Sequence, residues 1–211
     1  MLRKIYLSIV CVMFMVNCNA PVKTEAAKRN DNTRAYSQKA KDYCTKHKVN
    51  TDFYILIDLS IHSGLNRLYV WDFNKNEVTH SFTVSHGCAN NPWGLDQSKT
   101  NATVSNAFDS HCSSIGKYYI NERGYSNWGI HIKYTLQGLE NTNRNAEKRT
   151  IVLHSWDDVP DNEVYPNGVP EGWGCPAVSN NAMLTLDKIL KPQNKKTLLW
   201  IINQDLSSRT S

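Results

Sequence analysis

Apolar and polar residues change period twice along the chain. Residues 21–34 (PVKTEAAKRNDNTR) are polar and charged without an apolar repeat, and they read as a tether. From Ala35 to His47 the period is helical: Tyr36, Ala40, Tyr43, Cys44 and His47 share one face, which predicts a helix packed beside the main domain. From Asp52 the pattern is that of strands. Phe53–Ile57 is continuously apolar, as in a fully buried strand. Arg67–Phe73 is rich in aromatic and β-branched residues, and Asn74-Lys75-Asn76 turns the chain into Val78–Val84. There Val78, His80, Phe82 and Val84 alternate with Thr79, Ser81 and Thr83, so the pair reads as a hairpin. Further strands are expected at Gly116–Asn121, Gly129–Leu136, Thr150–His154 and Thr197–Asn203. A helix is expected over Asn180–Leu190, with Met183, Leu186 and Leu190 on one face. This pattern predicts a mainly β fold, a sandwich or barrel with a few peripheral helices. Between Ser85 and Ser114 lies a loop of about thirty residues carrying His86, Cys88, His111 and Cys112, long enough to suggest a functional role.

The N-terminus changes the picture of where the chain works. Arg3 and Lys4 precede an apolar stretch, Ile5–Val16, that is too short to span a bilayer, so Met1–Ala20 reads as an export signal. Two processing sites compete. Val16-Asn17-Cys18 resembles a lipoprotein signal cleaved before Cys18, which would then carry a lipid anchor; ordinary cleavage after Ala20 is the other. An uncleaved anchor is a third reading. All three place the domain in the periplasm or cell envelope. The expected layout is a signal over 1–20, a polar tether and short helix over 21–50, and a main domain over 51–205.

Composition adds bounds. With 211 residues, 40% of them apolar, the chain can build one sizeable core, and six Trp and ten Tyr argue against disorder. Lys plus Arg exceed Asp plus Glu by 24 to 19, a net charge of +5 that permits an acidic partner without demanding one. Nothing supports nucleic-acid binding: there is no basic helix and no zinc-knuckle spacing. Outside the signal stand four scattered cysteines, Cys44, Cys88, Cys112 and Cys175, which do not make a disulfide scaffold.

The candidate chemistry sits late in the chain. The apolar run before His154 ends at that residue, which puts an imidazole at a strand mouth. Gly174 lets the backbone turn sharply before Cys175, so the sulfur can face a cleft. Backbone N–H groups around such a turn can bind a developing oxyanion, a term of roughly 3–4 kcal/mol per donor. A thiol needs a base or a cation to become an effective nucleophile at neutral pH.

These residues resemble the L,D-transpeptidase catalytic domain (YkuD-like), whose motif is a histidine followed at a similar interval by Ser/Thr-His-Gly-Cys. Here seventeen residues, 155–171, separate His154 from Gly172-Trp173-Gly174-Cys175. The murein branch, which ends its motif in Gly-Cys-Pro-Ala, is the closer match through Gly174-Cys175-Pro176-Ala177. It is also resembled by Ser113-Ser114-Ile115-Gly116-Lys117-Tyr118, by Gly138-Leu139-Glu140, by Asn145-Ala146 with Arg149, and by His86-Gly87. The likeness covers about residues 53–203. Departures are Glu171-Gly172 where the family carries Arg-Ser, Trp173 for a histidine, and Ala177 for an arginine. Ser85-His86-Gly87-Cys88 spells the catalytic tetrapeptide outright, yet no histidine lies at a suitable interval before it, so Cys175 is assigned instead.

The resemblance implies acyl transfer on a peptidoglycan stem tetrapeptide by a monomer without metal or cofactor. Cys175 would form a thioester, His154 would act as base and then acid, and the Ser155 carbonyl would orient the ring. Trp173 and Gly174 would supply the oxyanion hole, with His131 and His86 beside the substrate. Blander readings stand beside these. Cys175 could be a buried structural thiol and His154 a satisfied strand-end histidine; His131 could be a core or surface residue. Trp128, Trp156 and Trp173 could form a substrate wall or simply pack. Cys88 and Cys112 could pair or stay reduced. Other functions weighed are an L,D-carboxypeptidase, a non-catalytic wall-binding module, a papain-like amidohydrolase (disfavoured because His154 precedes Cys175) and a zinc peptidase using His131, His154 and Cys175, for which no ligand spacing exists.

Overall fold

The computed structural model describes residues 20–203. Arg3, Lys4, Ile5–Val16 and Cys18 of the expected export signal lie outside the described residues. Helix α1 spans Ala20–His47, so the segment expected to be a tether is helical. The reason is compositional. The stretch has no apolar stripe to mark a period, but beyond Pro21 it holds neither proline nor glycine, and Ala26, Ala27, Lys28 and Arg29 are good helix formers. Pro21 falls in the first turn, where its missing N–H breaks no bond. At the other end Lys48 takes φ +56° and Val49 N–H closes on Cys44 O at 3.1 Å.

Eight strands follow: β1 Phe53–Asp58, β2 Leu68–Asp72, β3 Glu77–Phe82, β4 Gly116–Tyr125, β5 Ile132–Gly138, β6 Val152–Ser155, β7 Ala177–Val178 and β8 Thr197–Ile202, with helix α2 (Asn180–Leu190) before the last. They form one mixed sheet in the order β3-β2-β1-β8-β4-β5-β6-β7. β1 with β8 and β6 with β7 are parallel; the other pairs are antiparallel. The sheet is barrel-like and nearly closed. The chain leaving β3 reaches the far edge, where Ser85 N–H donates to Ala177 O at 2.8 Å. The β2–β3 hairpin lies where the alternation put it. β4 runs past the expected Asn121 to Tyr125, with a register shift between Ile120 and Arg123; the polar run Glu122-Arg123-Gly124 had masked it.

Two faces of the sheet explain the unbroken apolar run of β1. Phe53, Ile55 and Ile57 join Met183, Leu186 and Leu190 of α2 in the main core. Tyr54 and Leu56 pack instead with Tyr36, Ala40 and Cys44 of α1. Every position of β1 is therefore covered. α2 begins at Ser179, whose Oγ accepts from Ala182 N at 3.1 Å. Among the described residues no helix is long and apolar enough to cross a membrane.

Leu186 is fully buried between α2 and the sheet. Leu186→Ala is expected to lower unfolding stability by about 2–5 kcal/mol in a urea titration with unchanged slope.

Candidate active site

The register of β6 against β7 builds the site. His154 stands opposite Ala177 and Ser155 opposite Val178. Just before β7, Gly174 adopts φ +101° and packs so closely that an added Cβ would lie 2.3 Å from Cys112 O. Only glycine fits that bend. It turns Cys175 toward the start of β6, where Val152 N–H donates to Cys175 Sγ at 3.4 Å and the thiol donates to Thr150 O at 3.7 Å. The backbone N–H groups of Trp173, Gly174 and Cys175 donate to no acceptor among the described residues.

His154 is 8% exposed. Its Nδ1 lies 2.9 Å from Ser155 O; a carbonyl only accepts, so Nδ1 carries the hydrogen and Nε2 presents a lone pair. Burial holds this imidazole below its ordinary range, and Lys133 pushes the same way, against the Ser155 hydrogen bond. Burial likewise raises the Cys175 thiol, while Val152 N–H, Arg149 and Lys133 pull it back. Both shifts favour uncharged forms.

His154 and Cys175 line one cleft of about 130 Å³ with Ser85, Gly172, Ala177 and four tryptophans, Trp93, Trp128, Trp156 and Trp173. No hydrogen bond joins the two side chains directly. Trp156 is the buried hub: Trp93 stacks on it at 4.9 Å and Trp128 meets it edge-on at 6.2 Å. Trp173 is 63% exposed and stacks on His111 at 5.1 Å. A larger groove of about 620 Å³, between Asn121, Lys133, Glu147 and Lys195, carries neither His154 nor Cys175.

Two expected substrate contacts lie outside the cleft lining in this structure. His131 does not line the cleft; at φ +61° its ring folds back, with Nδ1 3.0 Å from Ser126 O and its face on Tyr125. His86 is fully buried and hydrogen-bonded to Arg67 and Ser98, so it cannot touch a ligand in the cleft. Its neighbour Ser85 does line the cleft, and the Ser85–Cys88 tetrapeptide that imitates the catalytic motif runs beside Gly172 through a parallel bridge at Gly87. Cys88 and Cys112 are free thiols, both buried. Trp93 was missed as a cleft residue, and the burial of Glu171 was not foreseen. An exposed tryptophan in the polar loop Asn90-Asn91-Pro92-Trp93-Gly94 was the available signal for the first. Among the described residues no group of three or more His, Cys, Asp or Glu is placed to hold a metal ion.

Residues 26–201 match the L,D-transpeptidase catalytic domain (YkuD_2), and the chain belongs to that family. No curated protein matches it. Among solved structures, an L,D-transpeptidase from Xylanimonas cellulosilytica is 13% identical, with a TM-score of 0.40 over 71% of this chain and 60% of that one. The helical cell shape determining protein Pgp2 from Campylobacter jejuni is 13% identical, with a TM-score of 0.45 over 72% of this chain and 48% of that one. The chain thus spans only about half to three fifths of those chains.

Lys133 and Arg149 are the cations that favour a Cys175 thiolate. Lys133→Met and Arg149→Met are each expected to move the pH of half-maximal Cys175 alkylation by iodoacetamide upward, read by intact mass; a midpoint that stays or falls would contradict this electrostatic account.

Proposed function

We propose that this chain is a cysteine-dependent L,D-transpeptidase of the cell envelope that acts on peptidoglycan stem tetrapeptides. The observation that carries the reading is that Cys175 and His154 line one cleft, with the backbone N–H groups of Trp173, Gly174 and Cys175, next to the thiol in sequence, left without an acceptor among the described residues. His154 Nε2 takes the thiol proton as Sγ attacks the carbonyl carbon of the third stem residue. The tetrahedral oxyanion is held by the N–H groups of Trp173, Gly174 and Cys175. On collapse the terminal D-amino acid leaves with the proton from His154, and a thioester remains on Cys175. The amine of a second stem then attacks the thioester; water in its place would make the enzyme a carboxypeptidase. Ser155 contributes its carbonyl, which fixes the His154 tautomer.

Burial, which favours the uncharged form of both His154 and Cys175, is in keeping with His154 acting as general base. The cleft walls bear no lysine or arginine, in keeping with the missing family arginine at Ala177, so no cation of the cleft lining is expected to pair with the terminal carboxylate of the stem. Export, with or without a lipid at Cys18, is part of the same proposal and would place the domain beside its polymer.

Incubated with disaccharide-tetrapeptide, the purified protein is expected to gain a thioester adduct on Cys175 and release the terminal D-residue, while Cys175→Ala does neither. Turnover by the alanine variant would remove the nucleophile assignment; absence of any adduct on the native chain would favour a wall-binding module. Because activity needs a neutral His154, its acid limb is expected below 6.5, the ordinary imidazole value. A limb above that value would mean a different base.

A further inference from the structure

Beneath the cleft lies a chain of buried polar groups that the acyl-transfer scheme does not use. Arg67, His86 and Glu171 are each fully buried, and burying charges this deeply is costly unless every one is paired. Arg67 donates from Nε and Nη2 to Val84 O at 3.1 and 2.8 Å, and from Nη1 to Ile61 O at 3.3 Å. Nη2 also lies 2.8 Å from His86 Nδ1. A guanidinium only donates, so Nδ1 accepts and the hydrogen of His86 sits on Nε2. Nε2 then donates to Ser98 Oγ at 2.7 Å, and Ser98 Oγ donates to Glu171 Oε1 at 2.8 Å. Every hydrogen in the chain has one direction, from the cation to the carboxylate. Burial and the nearby Arg67 both hold His86 in its neutral form, as that direction requires.

The carboxylate end is where the network meets the site. Glu171 Oε1 also accepts from Ser98 N–H, and Oε2 from Asn91 Nδ2 at 3.1 Å. Its backbone pairs with the same loop: Glu171 N–H donates to Leu95 O at 2.8 Å and Gly94 N–H to Glu171 O at 3.0 Å. The next residue, Gly172, donates to His86 O at 2.8 Å and accepts from Cys88 N–H at 2.7 Å. Directly after it come Trp173, Gly174 and Cys175 with their undonated N–H groups.

We propose that Arg67, His86, Ser98 and Glu171 are positioning residues, a directed hydrogen-bond chain that fixes the backbone from Glu171 to Cys175 so that its free N–H groups converge on a developing oxyanion. The proposal rests on the acyl-transfer reading of Cys175. It also gives a role to Glu171, which the sequence comparison met only as a departure from Arg-Ser. A network of this kind acts through geometry: it touches no substrate, and its loss shows only in reactions that develop negative charge on oxygen.

Two probes of Cys175 separate that role from general support of the fold. p-Nitrophenyl acetate acylates a thiol through a tetrahedral oxyanion; iodoacetamide alkylates it by displacement at carbon without one. Rates of both are measured by intact mass on the full chain, with Cys175→Ala as background. Ser98→Ala removes the middle link, and Glu171→Gln keeps the shape while removing the charge. In each variant acylation is expected to fall about tenfold or more, as for a misplaced oxyanion donor, while alkylation stays within about twofold. Equal rates to wild type, or acylation and alkylation falling together, would overturn the positioning role. Should Glu171→Gln fail to fold, Ser98→Ala decides alone. Stem tetrapeptide is the third substrate: native protein that is acylated by the ester but leaves the tetrapeptide untouched defeats the stem-peptide reading and leaves the positioning result standing.

Discussion

The site depends on one backbone constraint, the parallel register of β6 with the two-residue strand β7. With His154 opposite Ala177, Val152 falls opposite Cys175, and the peptide N–H of the former meets the sulfur of the latter. A slip of one residue would turn the imidazole to the other face of the sheet. So short a strand cannot hold its own register. It is held from outside, by Ser85 on one edge, by the helix cap at Ser179 immediately after it, and by the close contact of Gly174 with Cys112 O.

Three segments far apart in sequence meet around Cys175: 85–88, 111–114 and 171–175. Gly87 and Gly174 allow this, since an added Cβ on Gly87 would lie 2.1 Å from His111 O. Ser113 ties the other two together, its Oγ accepting from Gly87 N–H at 3.1 Å and donating to Gly174 O at 3.2 Å. The long loop is therefore an integral wall of the site. Its lack of regular structure is offset by hydrogen bonds to Arg149, which donates to Ser105 O, Ser114 Oγ and Cys112 O.

Much of the framework was legible because burial writes itself into period. β1, the β2–β3 hairpin and α2 could be read from apolar spacing, and the candidate pair His154 and Cys175, which the structure brings to one cleft, from a strand end and a glycine bend. The polar half of α1 could not, having no buried stripe to give a period. β7 was too short to show alternation. His86 was read as a residue beside the substrate because His86-Gly87 matches a family dipeptide in a long loop, whereas its two nitrogens are committed to a buried guanidinium and a serine. Glu171 was opaque for the converse reason: a charged side chain next to glycine reads as surface, and only its partners from residues 91–98 make its burial tolerable.

Trp93, Trp128, Trp156 and Trp173 make up four of the six indoles in the chain, and they crowd around the cleft while Trp71 and Trp200 pack with the cluster that holds α1 against the sheet. Ultraviolet emission from this protein is therefore weighted toward a single locality. Any molecule settling over Trp156 changes the polarity felt by neighbouring fluorophores together, which gives the chain a native optical reporter of occupancy that needs no label.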